Sequence, residues 1–269
     1  MNVQGTGLQG FIGKHLVGRL ERRGDIVTDI PYQTISHHHP GAFDVFLFLS
    51  SYGNHSYQRG DGKMFKANVT DLWAMLNKTL NIDYKAFIHF STSSVLLEHQ
   101  TMYSATKAAA EDLVKGFAQS HGKPVVSIRP LSVYGEGEAD HRFIPTVIRN
   151  IINREVVKLG DGSHDWIWVD DLVEGVLAVV DNIAEIKEPV NIGTGKQTSN
   201  KDIYQKLVDL LDIPATKVDV GRMREYDTNY WQFDISGISK FGWSAKVNMD
   251  EGLRRCVEYY AKRYRENHS

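Results

Sequence analysis

One cysteine in 269 residues, Cys256, leaves no partner for an internal disulfide and too few thiols for a cysteine-rich zinc site. Excess charge is also missing: 31 basic residues face 33 acidic ones, a formal net charge of -2. That balance supplies no basic face for nucleic acid or an anionic membrane, so neither is expected as a partner. No apolar run reaches the roughly 20 residues that a membrane-spanning helix needs. The N-terminus carries no basic-then-apolar leader, and glycines follow Met1 almost at once, so no cleavable signal is expected. Internal repeats and low-complexity stretches are absent too. These absences predict a cytoplasmic globular protein. The 42% hydrophobic and 24% charged composition belongs to that class, and the length suits one large domain or a core with a smaller lobe.

What is present alternates strand-like with helix-like segments, the pattern of a parallel α/β sheet. Met1 to Gln4, Asp25 to Ile30, Asp44 to Leu49, Ala86 to Ser91 and Pro124 to Arg129 read as strands, several of them nearly continuous apolar runs. Helical spacing covers Phe11–Arg23, Met64–Leu80 and Tyr103–Ser120, and later Phe143–Asn153, Leu172–Asn182, Asn200–Leu211 and Asp250–Arg265. Between Asp29 and Phe43 there is too little chain for a helix and a strand, and Pro31, Pro40 and Gly41 break what remains. The fold class predicted is therefore a Rossmann-type parallel sheet that lacks one βα unit after the second strand, with a small mixed lobe. Residues 1–131 and 160–192 are expected to form the core, and 132–159 and 193–269 the lobe.

The opening Gly5-Thr6-Gly7-Leu8-Gln9-Gly10-Phe11-Ile12-Gly13 places glycines at the turn from a strand into a helix. There, backbone N–H groups and the helix dipole can face a pyrophosphate. Two registers fit the glycine fingerprint, one beginning at Gly5 and one at Gly7. The second, with Gly7, Gly10 and Gly13, is favoured because Phe11 and Ile12 have the character of first-turn core residues. Asp29 ends the next strand at about the 20-residue distance expected of a carboxylate that binds ribose hydroxyls. A carboxylate there repels a 2′-phosphate, which selects NAD over NADP.

Of twelve tyrosines, Tyr103 alone has a lysine four positions on, Lys107. That spacing puts both side chains on one helix face. The preceding strand ends in Ser91-Thr92-Ser93-Ser94, which brings hydroxyls to the C-terminal sheet edge where open α/β sheets bind ligands. A free phenol has a pKa near about 10 and is a poor base at neutral pH. An ammonium and a positive nicotinamide beside it both favour the phenolate. Such a tyrosinate can take a proton from a sugar hydroxyl while the carbon gives up hydride, with Thr92 bonded to the same oxygen.

With these residues in place, the chain resembles the extended short-chain dehydrogenase/reductase family of NAD-dependent nucleotide-sugar epimerases and dehydratases. The segment 5–17 is similar to its glycine fingerprint, and 65–76, with Asn68, to its asparagine-containing helix. The stretches 87–95 and 103–111 resemble its serine/threonine strand and tyrosine–lysine helix, and similar segments continue to the C-terminus. The resemblance implies that Tyr103 is the base, Thr92 assists at the reacting oxygen, and Lys107 grips the nicotinamide ribose. It implies cofactor contacts at Gly7, Gly10, Phe11, Ile12, Gly13, Asp29 and Ser50, and substrate contacts at Ser93, Ser132 and Arg224. Arg224 matches the arginine that pairs with the substrate diphosphate, a bidentate task. NAD is the implied cofactor, a UDP-sugar the favoured substrate, and a homodimer through the helices 64–80 and 103–120 the implied assembly.

Departures from the family's pattern narrow the reaction. The 4,6-dehydratases carry an Asp-Glu pair after the catalytic hydroxyl, and here Ser93 and Ser94 stand in those positions. Relatives that epimerise beside a ketone use a cysteine and a histidine, and Cys256 lies far down the chain. Oxidation at C4 followed by return of hydride to the other face remains, a 4-epimerase; a keto-sugar reductase, a dehydratase or a non-catalytic nucleotide-binding relative is the alternative. His164 replaces the family's arginine before Asp165. No metal is expected, since three adjacent histidines (His37, His38, His39) cannot easily converge on one ion. Asp170 and Asp171 read as a helix cap.

Overall fold

The computed structural model describes all residues except 36, 56, 215–216, 222–229 and 267–269. In chain order the first half runs β1 (Asn2–Thr6), α1 (Phe11–Arg22), β2 (Ile26–Ile30), β3 (Val45–Phe48), α2 (Asp61–Phe65), α3 (Asp71–Lys78), β4 (Ala86–Phe90), α4 (Met102–His121) and β5 (Val125–Pro130). The second half continues β6 (Ser132–Tyr134), α5 (Phe143–Ile152), β7 (Val157–Leu159), β8 (Ser163–Trp168), α6 (Val169–Asp181), β9 (Val190–Ile192), β10 (Gln197–Ser199), α7 (Asn200–Leu211), β11 (Val218–Val220), α8 (Ser236–Ser239) and α9 (Met249–Glu266). The single helix predicted over 64–80 is two, joined by a π-helical turn at Lys66–Thr70.

The described residues form two units. The first comprises Met1–Pro130, Val173–Ile192 and Ile235–Trp243; the second comprises Leu131–Leu172, Gly193–Asp234 and Ser244–Ser269. The segment 160–172, expected with the core, thus belongs to the second unit, because β8 pairs with β6 and β10. Residues 235–243 return to the first.

The first unit carries a six-stranded parallel sheet in the order β2-β1-β3-β4-β5-β9. Strand order reverses at β1, with β2 on one side and β3 on the other, which opens a crevice at the strands' C-terminal ends. The missing βα unit is visible here. Between β2 and β3 there is a loop with one 3-10 turn at Tyr32–Thr34, and β2 is left as the sheet's edge. The central strands β3 and β4 are buried along their whole length, whereas Ile26 on β2 is 71% exposed. A core of Phe46, Phe48, Leu72, Met75, Leu76, Phe87, Ala110 and Val114 packs helices α3 and α4 against the sheet, with Phe46 and Phe87 stacked at 4.8 Å.

The second unit is built from shorter pieces: a sheet β10-β8-β6 and a two-stranded sheet β11-β7, with α5 and α7 packed on α9. Tyr260 on α9 is fully buried, and its hydroxyl donates to the carbonyls of Gly135 and Glu138. Asp171 does not cap α6 as its position suggests. It accepts from the backbone N–H groups of Lys246 and Val247 and so ties two distant segments. Cys256 is buried and unpaired on α9. Among the described residues no helix is long and apolar enough to cross a membrane, and no group of three ligating side chains is suited to a metal ion.

Candidate active site

Three glycines do different steric work where β1 turns into α1. Gly7 has a φ of +73°, a left-handed conformation, and a Cβ there would lie 2.9 Å from the backbone nitrogen of Ser50 at the end of β3. Gly13 lets the helix settle on the turn, because a Cβ would come within 2.5 Å of Leu8 Cα. Gly10 is exposed, and a Cβ on it would meet only the Gly7 carbonyl oxygen, at 3.2 Å. Gly5 is as crowded as Gly7, since a Cβ there would lie 2.7 Å from the Leu47 carbonyl oxygen. Close backbone approach thus holds at Gly5, Gly7 and Gly13 alike, and only Gly7 among them has a positive φ. No side chain caps α1 and no acid lies in its first turn, among the described residues. A helix N-terminus with no side-chain cap and no acid in its first turn suits a pyrophosphate. Phe11 and Ile12 are half-buried in the first turn.

Asp29 stands at the end of β2 beside this loop, half-buried, and its Oδ1 accepts from Leu8 N–H at 3.3 Å. Ser50 is buried at the end of β3, where its N–H donates to Thr6 Oγ1. These positions fit the adenosine side of a dinucleotide, with the carboxylate held next to the phosphate turn.

The other end of the crevice is made by β4 and α4. A capping box opens α4: Ser104 N–H donates to Thr101 Oγ1, and Thr101 N–H donates to Ser104 Oγ. Such a cap contributes about 1 kcal/mol, and it fixes Tyr103 in the first helical turn and Lys107 in the second. Helix side chains lean toward the N-terminus, so Lys107 is aimed back at the C-terminal end of β4. The Tyr103 ring lies against Gly53 after β3, whose added Cβ would sit 3.1 Å from Tyr103 Cδ2. Gly53 needs its φ of +105° there. The loop that carries it is clamped by buried Asn68, which exchanges two hydrogen bonds with the Tyr52 backbone and donates a third to Thr106 Oγ1.

Lys107 is 1% exposed. Its Nζ donates to the Phe90 carbonyl at 2.5 Å and contacts His89 Nε2 at 3.0 Å. An ammonium has three donors, so one remains beyond these two partners. Burial pushes its pKa down to about 7, against an upward pull from the Glu111 carboxylate one turn on. Thr92 follows β4 and caps a short 3-10 turn, its Oγ1 accepting from Ser94 N–H at 3.2 Å and lying 3.1 Å from Ser94 Oγ. Ser93 is 3% exposed.

The first unit thus holds Gly7, Gly10, Phe11, Ile12, Gly13, Asp29, Ser50, Thr92, Ser93, Tyr103 and Lys107 along one sheet edge. Ser132 belongs to the second unit, on β6 in register with Trp166. Arg224 lies outside the described residues. His164, in the arginine's place, has its ring 4.9 Å from that of Trp231 and 5.4 Å from that of Trp166. Sequence reasoning passed over His89 and Ser127. The available signal was a lone imidazole in the otherwise apolar strand Ala86–Phe90.

The family model described as the NAD dependent epimerase/dehydratase family matches residues 45–193, more than half of the chain. The low-salt glycan biosynthesis protein Agl12 of Haloferax volcanii is 28% identical over 310 aligned positions, which cover 97% of this chain and 98% of that protein. An alignment longer than this 269-residue chain means that the relative has segments absent here. The dTDP-glucose 4,6-dehydratase of Xanthomonas campestris is 26% identical over 71% of this chain and 62% of its own length. Among solved structures, the UDP-glucuronic acid 4-epimerase of Bacillus cereus, crystallised with UDP-glucuronic acid and NAD, superposes with a TM-score of 0.86. It is 22% identical, with 98% of this chain and 100% of the other covered. That likeness is one of fold.

Proposed function

The chain belongs to the NAD-dependent epimerase/dehydratase family, and on that premise we propose that it is a 4-epimerase of a UDP-activated sugar. NAD, when bound, would supply a reversible hydride acceptor for the sugar C4. Gly7, Gly10 and Gly13 let the α1 N-terminus approach the pyrophosphate, Asp29 receives the ribose hydroxyls, and Ser50 lines the crevice beside Gly7. Tyr103 takes the C4 hydroxyl proton as the ketone forms and returns it when the alcohol is remade. Thr92 donates a hydrogen bond to the same oxygen, which its engagement with Ser94 permits, since a hydroxyl can accept and donate at once. The third donor of Lys107 is left for a ribose hydroxyl. Ser93, Ser132 and Arg224 are assigned to the substrate.

One observation carries the choice of reaction: Ser93 and Ser94 follow Thr92 where a dehydratase needs a carboxylic acid and a carboxylate. Serine hydroxyls cannot remove water by acid–base catalysis at neutral pH. The second reading is a dehydratase, which relatives such as the Xanthomonas enzyme favour, or a reductase of a keto sugar. Incubation with a UDP-hexose and no added cofactor, in deuterated water, separates the readings. A 4-epimerase gives the C4 epimer at unchanged mass with no deuterium at C4. Loss of one water identifies a dehydratase, and turnover only when reduced cofactor is supplied identifies the reductase.

The assembly proposed is a homodimer through α2–α4. Phe65, Trp73 and Met102 on these helices are 53%, 51% and 46% exposed, an apolar surface that a second copy would cover. Light scattering tests it, and a concentration-independent monomer refutes it.

A further inference from the structure

His89 occupies a position where an apolar residue would be expected. It lies inside β4 with 0% exposure, on the face that also carries Phe87, beneath α4. A buried imidazole is costly unless both ring nitrogens are bonded, and here both are. Nε2 meets Lys107 Nζ at 3.0 Å, and Nδ1 meets Ser127 Oγ at 2.9 Å. Ser127 is the register partner of His89 on β5, so the sheet itself sets that contact. An ammonium only donates, which makes Nε2 the acceptor and Nδ1 the protonated nitrogen. The bonds then run in one direction, from Lys107 to His89 to Ser127.

The charged neighbours sharpen the point. On α4, Glu111 lies one turn beyond Lys107, and it is held by Arg129 of β5 through Nε at 2.9 and 3.0 Å and Nη2 at 2.5 Å. The Glu111 carboxylate is thus committed to another cation. Among the described residues, the Phe90 carbonyl and the His89 ring are the two groups that bond the Lys107 ammonium directly. Burial, with the Lys107 charge beside it, holds the His89 ring well below the usual imidazole range, so it stays a neutral acceptor.

We propose that His89, oriented by Ser127, is a positioning residue for Lys107: it fixes the direction of the ammonium and favours its protonated form. The inference rests on the reading of Lys107 as the group that faces the cofactor ribose and favours the Tyr103 phenolate. Without the acceptor, the lysine loses its anchor and its charge at working pH, and with them its effect on Tyr103.

The test has two arms. In protein with ¹³C-labelled lysine, the Lys107 Cε resonance is titrated in wild type, His89→Phe, His89→Gln and Ser127→Ala. His89→Phe is expected to lower the Lys107 midpoint by at least about one unit, and His89→Gln, which restores an acceptor oxygen, to bring it back near wild type. Ser127→Ala shifts it the same way by less, and this variant decides the matter if His89→Phe does not fold. In the second arm NADH binding is followed by fluorescence. His89→Phe weakens binding about tenfold in the wild-type background and leaves it unchanged in Lys107→Met, the non-additivity of a residue that acts through another. A Lys107 midpoint that none of these variants moves, or an equal loss of binding in the Lys107→Met background, overturns the proposal. A chain that binds no NADH refutes the cofactor reading instead, while the Lys107 titration still decides the role of His89.

Discussion

Both units bury ionisable side chains, and Lys107 in the first differs from Glu138 in the second in sign and in surroundings. In the first, Lys107 is 1% exposed and its ammonium meets two acceptors, with a carboxylate–guanidinium pair close by. In the second, Glu138 is 8% exposed beside Cys256 and Tyr260, and burial raises its pKa to about 8 against a weaker opposing pull from Arg142. Glu138 is thus held as a neutral acid around pH 7, which is what burial alone does to a carboxyl group. Lys107 instead sits near neutrality with partners for its charged form. A costly group that the fold surrounds with directed acceptors marks a working site, whereas one that is left to neutralise marks packing.

The largest expected effects break this comparison by pH. For Lys107 the folded pKa of about 7 lies below the 10.5 of an ordinary lysine. The unfolded chain therefore binds more protons between these values, and stability rises with pH across that window. Relative to Lys107→Met, cofactor-free wild type gains up to about 5 kcal/mol between pH 6 and 11. For Glu138 the folded value of about 8 lies above 4.5. The folded chain holds the extra proton, and stability falls as pH rises from about 4.5 to 8. Glu138→Gln removes that slope by a similar amount. Urea unfolding at several pH values measures both, and slopes of equal sign would erase the contrast.

Activity gives the next effect. Tyr103→Phe is expected to lower turnover at least the ~100-fold typical of lost acid–base catalysis, with cofactor binding and melting temperature unchanged. Glu138→Gln is expected to leave turnover within about twofold at pH 7, where the native side chain is already neutral. Steady-state kinetics on purified variants checks the pair, and a loss in Glu138→Gln as large as in Tyr103→Phe would make the second site functional.

The smallest effect lies at the exposed edge of the first unit. Asp29→Asn removes the charge that would repel a 2′-phosphate, and the NAD preference over NADP is expected to shrink by about tenfold, or ~1.4 kcal/mol. Calorimetric titration with both cofactors reads it. A wild-type chain that prefers NADP would remove the role given to Asp29.

Much of this was written in local sequence. Gly7, Gly10 and Gly13 mark the turn because a backbone approach of under 3 Å, at Gly7 and Gly13, admits no side chain. Thr101 and Ser104 start α4, and a four-residue spacing then puts Tyr103 and Lys107 on one face. Pro31, Pro40 and Gly41 deny the chain a βα unit, which leaves β2 at the edge. Turn chemistry and periodicity act over a few residues, so a reader of the sequence meets them directly. Tertiary structure alone decided the rest. His89, Lys107 and Ser127 come from three elements, separated by 18 and 38 positions along the chain, and nothing in their spacing shows that they touch. The three-residue strands β6 and β10 carry too little pattern to be read, and it is pairing with β8 that makes them strands and draws 160–172 into the second unit. Lys107 in the sequence is an ordinary lysine. Burial between a sheet and a helix, which only the packed chain supplies, moves its pKa to about 7.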